Sequence, residues 1–61
     1  MTEIKYYIVK VFHKHFEYLF NEDGRQYEFD THEEARQVLD EVEKKHHGKY
    51  LLGIRKEEIE L

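Results

Sequence analysis

The chain has 61 residues, a formal net charge of -4, 39% charged and 15% aromatic residues, and neither cysteine nor proline. A chain this short forms one domain with a thin core, burying about 60% of the surface its unfolded form exposes. The composition excludes disulfide staples and thiolate metal sites, and the aromatic content excludes a disordered chain. No stretch approaches the ~20 apolar residues of a membrane span, and Met1 to Lys10 lacks the basic start and apolar run of a signal peptide. The protein is therefore expected to be soluble, unexported and cytoplasmic.

In chain order, Ile4 to Phe12 comes first, strongly strand-forming and apolar on both faces in its middle, which predicts a central strand. His13-Lys14 is poor turn chemistry; a tight turn, a bulge or a continuous bent strand all fit. Phe16-Glu-Tyr-Leu-Phe20 and Arg25-Gln-Tyr-Glu-Phe29 flank the turn residues Asn21-Glu-Asp-Gly24 and read as a β-hairpin. A two-residue turn pairs Phe20 with Tyr27, a four-residue loop pairs Tyr18 with Tyr27, and both place Phe16, Tyr18, Phe20, Tyr27 and Phe29 on one inner face.

A helix is predicted from His32 to His47. Thr31 with Glu34 forms a capping box, and Ala35, Val38, Leu39 and Val42 recur at the spacing of one buried stripe. Asp40 with Lys44 and Glu41 with Lys45 are placed as outer i, i+4 ion pairs, and Lys44, Lys45, His46 and His47 suit the negative end of the helix dipole. Gly48 supplies the stop. Tyr50 to Arg55 reads as a last strand, weakened or bulged at Gly53, with Lys56 to Leu61 as a frayed extension.

Residues 1–61 thus read as a single small α+β domain: a two-layer β-β-β-α-β arrangement, an antiparallel sheet with one helix packed on one face. One helix leaves the other face bare, with some of Tyr7, Val9, Val11, Leu19 and Leu51, or of Tyr6, Ile8 and Phe12, uncovered. An apolar patch on so small a core points to a protein partner or a homodimer.

Charge is uneven. Glu22 to Glu43 carries -7 and the remainder +3. An acidic field disfavours phosphate-backbone and anionic-membrane binding, which leaves Lys5, Lys10, Lys14, Arg55 and Lys56 as the cations a nucleic-acid-binding reading would need. Glu28, Asp30, Glu33, Glu34, Asp40 and Glu41 either form a solvated face or imitate phosphates toward a basic groove. His13 and His15, two apart, would share a strand face as two metal ligands, but spacing supplies no third, so no metal site or cofactor is assigned. Without serine or cysteine the nucleophile inventory is narrow, the chain is short for a water-excluding pocket, and no catalytic residue is assigned.

The run Asp23-Gly-Arg … Phe29-Asp-Thr-His-Glu-Glu-Ala35 … Leu39, after two strands, resembles the small three-stranded arm-type DNA-binding domain at the N-terminus of tyrosine recombinases. The resemblance spans roughly half the chain and implies strands leading into a capped helix. This chain departs from it by being acidic where those sheets are basic and by placing a strand after the helix, so no binding residue follows.

The expected function is a non-enzymatic protein-interaction module, of the build of a phage or mobile-element accessory protein that inhibits a host enzyme or defence complex. The expected contacts are Glu33, Glu34, Arg36, Asp40 and Glu41 on the helix exterior, with Tyr7, Val9 and Leu19 on the sheet. The alternatives are a nucleic-acid-binding accessory domain and a histidine-based metal-binding or pH-responsive oligomer.

Overall fold

The computed structural model describes residues 1–46 and 50–61, His46 by its backbone alone. Strands β1 (Thr2–Val11), β2 (Phe16–Tyr18) and β3 (Glu28–Phe29) precede helix α1 (His32–His46), and β4 (Leu52–Glu60) closes the order. The architecture is the expected small α+β domain, with one four-stranded antiparallel sheet and one helix on a single face.

β1 is the central strand its two-sided apolar middle predicts. Along one edge it pairs with β4 from Thr2↔Glu60 to Lys10↔Leu52 in one unbroken register, so there is no bulge at Gly53. The last strand therefore starts later than expected and runs through Lys56 to Glu60 instead of fraying. In that register Lys5 lies opposite Glu57 and Ile4 opposite Glu58.

The other edge of β1 is shared. β2 takes its C-terminal half (Val11↔Phe16, Val9↔Tyr18) and β3 its N-terminal half (Tyr7↔Glu28, Tyr6↔Phe29). β2 and β3 are thus collinear, not the two arms of a hairpin with each other. Ile8 is the junction. Its carbonyl accepts from Leu19 N–H at 3.0 Å, its N–H donates to the Tyr27 carbonyl at 3.4 Å, and Tyr27 N–H donates to the Leu19 carbonyl at 3.3 Å. The chain between them makes a small excursion, closed by the Phe20↔Gln26 bridge.

At the excursion's tip, Asn21 N–H donates to the Arg25 carbonyl at 2.8 Å and Gly24 N–H to the Asn21 carbonyl at 3.0 Å. The Asn21 Oδ1 also accepts from the backbone of Asp23 and Arg25, at 2.9 and 3.1 Å. Gly24 takes a φ of +81°, the left-handed residue of a three-residue loop, which is neither of the two loop lengths expected. That odd length pairs Phe20 with Gln26, and the inner face assigned to the five aromatics splits. Phe16 and Tyr18 lie on one side of the sheet, Tyr27 and Phe29 pack toward the helix on the other, and Phe20 is 57% exposed. At the other turn Phe12 N–H donates to the His15 carbonyl at 2.9 Å, so His13-Lys14 is the tip of a tight β1–β2 hairpin.

The helix begins as its capping box directs: Thr31 Oγ1 accepts from Glu34 N–H at 3.2 Å and the Thr31 carbonyl from Ala35 N–H at 3.3 Å. Thr31→Ala is expected to cost about 1 kcal/mol, read as a lowered midpoint of thermal unfolding. Its stripe is buried as expected, with Ala35 fully covered, and Leu39 and Val42 join Ile8 and Leu19 in the core beside Val38, Leu52 and Ile54. The Asp40–Lys44 and Glu41–Lys45 pairs are not closed; the ion pairs among the described residues involve β1, β3, β4 and Asp30. Exposed pairs gain too little to hold two long side chains in one geometry. Gly48 and His47 lie outside the described residues.

Candidate interaction surface

Residues directly opposite in an antiparallel pair point to the same face. Tyr6, Ile8 and Lys10 of β1 share the helix side with Ile54 and Leu52 of β4, where Ile8, Ile54 and Leu52 pack with the helix stripe, and the open face is built on Lys5, Tyr7, Val9 and Val11. Across that open face the side chains form rows. Glu57, Lys5 and the nearby Asp30 make one; Arg55, Tyr7 and Glu28 the next; then Gly53, Val9 and Tyr18; and last Leu51, Val11 and Phe16.

One half of this face is a charge net. The Lys5 ammonium reaches Glu3 at 2.9 Å, Glu28 at 3.9 Å and Asp30. The hydrogen bond to Asp30, then that to Glu3, holds its pKa above the ordinary lysine range. Tyr7 donates to Glu28 Oε2 at 3.1 Å, and Tyr18 donates to Glu57 Oε2. Both phenols titrate above their ordinary value: Tyr7 through burial first, then its bond to Glu28, and Tyr18 through its bond to Glu57 first, then burial.

The other half is apolar. The Arg55 guanidinium lies 4.3 Å from the centroid of the Phe16 ring. Tyr18 meets Tyr7 and Phe16 edge to face at 5.3 and 5.5 Å. Beyond this packed centre Val11, Phe16 and Leu51 are 40%, 36% and 71% exposed. An open cavity of about 410 Å³ lies there, between Val9, Val11, His15 and Phe16 and the β4 residues Ile54, Arg55 and Lys56.

The residues expected as contacts divide. Glu33, Glu34, Arg36, Asp40 and Glu41 are all exposed on α1. On the sheet, Leu19 is a core residue on the helix side, and Tyr7 and Val9, though on the open face, are covered by the aromatic layer at 7% and 4% exposure. Accessible apolar surface passes instead to Val11, Phe16 and Leu51. Val11 and Leu51 belong to the apolar residues that a single helix leaves uncovered; alternation places Phe16 inward, and only the register with β1 brings it to the open face.

Among the cations of the nucleic-acid reading, Lys5 is spent on three carboxylates, Lys10 lies 4.9 Å from the Tyr50 ring centroid, and Arg55 is shared between Phe16 and Glu57 at 3.3 Å. His13 and His15 belong to a turn rather than a strand, and His15 stacks on Phe12 at 4.7 Å. Among the described residues no three His, Asp or Glu side chains gather to hold a metal ion, and no helix is long and apolar enough to cross a membrane. No protein-family model, curated protein or solved structure matches the chain.

Proposed function

We propose that the protein is a non-enzymatic interaction module that presents its open sheet face and the acidic outer side of α1 to a protein partner. The observation that carries this is the uncovered apolar end of the sheet, where Val11, Phe16 and Leu51 stand exposed and Val11 and Phe16 border an open cavity, on a chain with little core to spare. Glu33, Glu34, Asp40 and Glu41 are exposed and, among the described residues, engage no cation, which leaves their charge to select basic partners and speed encounter. The finer form of the reading is a phage or mobile-element accessory protein that inhibits a host enzyme or defence complex. Its support is build alone: small, acidic and free of cysteine.

The test is capture by tagged protein from nuclease-treated lysate, wild type beside the double variant Asp40→Lys with Glu41→Lys. Wild type should retain a stoichiometric protein partner. The double variant should lose it while its melting temperature stays within the small range usual for surface substitutions. Equal retention by both would refute the acidic-surface part of the proposal.

A further inference from the structure

β4 offers more than a boundary to the open face. On its inner side, Val11 N–H donates to the Leu51 carbonyl and Leu61 N–H to the Met1 carbonyl, each at 2.8 Å. In the unbroken register between these ends, odd-numbered residues of β4 exchange hydrogen bonds with β1. The N–H and C=O groups of Leu52, Ile54, Lys56, Glu58 and Glu60 therefore point outward, and among the described residues no strand pairs with them. The edge carries no proline and no bulge, two devices that commonly blunt such an edge; a third, charged side chains, is present at Arg55 to Glu58 and Glu60, so the register in which a second strand pairs is decided by these charges.

The strand is also complementary to itself. A two-fold axis perpendicular to the sheet at Lys56 pairs all nine residues of β4 with a second copy, since Leu52 then meets Glu60 and Ile54 meets Glu58. On the open face this register sets Arg55 of each copy against Glu57 of the other, twice. It also sets Ile59 against Gly53, where there is no side chain. On the helix side Ile54 and Leu52 meet the aliphatic stems of Glu58 and Glu60. The one unfavourable contact is Lys56 against itself at the axis, and Glu58 of the other copy is its diagonal neighbour. Moving the axis by one residue would oppose Arg55 with Arg55 or Glu57 with Glu57 and shorten the ladder.

We propose that two copies of this chain associate through antiparallel pairing of their β4 edges about Lys56, joining their sheets into one. This goes beyond the partner-binding reading and stands or falls without it, because it is tested on the purified chain. Native mass spectrometry and sedimentation should show a species of twice the 7.6 kDa chain mass. Lys56→Pro removes an outward N–H that β1 does not use, so it should leave a folded monomer by circular dichroism.

A second set of variants does not depend on how that one folds. Arg55→Glu alone opposes carboxylates across the axis and Glu57→Arg alone opposes guanidiniums, so each should be monomeric. Mixing the two restores opposite charges at both contacts and should give a heterodimer. A wild-type chain that remains at 7.6 kDa up to hundreds of micromolar, or a dimer that ignores the charge changes and forms no preferred heterodimer on mixing, overturns the proposal.

Discussion

Ile8→Ala is expected to abolish cooperative unfolding at room temperature. Ile8 is fully buried, packs against Leu19, Leu39 and Val42, and carries the backbone junction through which β1 hands its edge from β2 to β3. Truncating a buried isoleucine costs about 2–5 kcal/mol, and a core of this size rarely supplies more than ~3–5 kcal/mol in all. The variant should therefore show little or no thermal transition by circular dichroism. Val11→Ala, three residues on along the same strand and on the open face, should change stability by only about 0.5 kcal/mol. Equal effects at the two positions would contradict the full burial of Ile8 against the partial exposure of Val11.

The second large effect is alkaline. Tyr7, Tyr18 and Lys5 all hold their protons more tightly in the folded chain than their ordinary values of 10.0 for the phenols and 10.5 for the amine. For the phenols the neutral form donates to Glu28 and Glu57, and for Lys5 the charged form pairs with Asp30 and Glu3. A group whose folded pKa is raised contributes stability that is fully present below its unfolded pKa and is lost as pH rises through the folded value. The melting temperature should thus be level with respect to these groups below pH 10 and fall progressively above it. Tyr7→Phe with Tyr18→Phe should flatten the first part of that fall and leave the part owed to Lys5. A double variant with the wild-type slope would show that the two phenols do not hold these bonds in solution.

Much of the fold was legible in the residues. Thr31 and Glu34 marked the helix start, Ala35, Leu39 and Val42 its buried stripe, and the two-sided apolar run at Tyr7 to Val9 the central strand. What stayed hidden has a common physical cause. Alternation says that Phe16 and Tyr18 share a face, but not which strand they pair with, and one residue of register exchanges the faces of everything after it. The three-residue loop closed by Gly24 and the handover at Ile8 depend on backbone bonds that no side-chain pattern announces. β4 was disguised by its charges: Lys56 to Glu60 looks frayed by composition, and only its ladder with β1 shows it paired. The candidate surface was legible as a bare sheet face and an acidic helix side. Its accessible apolar residues emerged only when Arg55, stacked on Phe16, and the Tyr7–Tyr18 contact were seen to cover the middle.

Of the two proposed contacts, the pairing of β4 edges between two copies is the one that the purified chain alone can show. Residue-resolved hydrogen exchange of the purified chain, followed as a function of concentration, tests it most directly. The account predicts that the Arg55, Glu57 and Ile59 amides, bonded to β1, exchange slowly at every concentration. The Ile54, Lys56 and Glu58 amides should exchange fast when dilute and become protected as the chain associates. Outward amides that exchange at unprotected rates at all concentrations would contradict it.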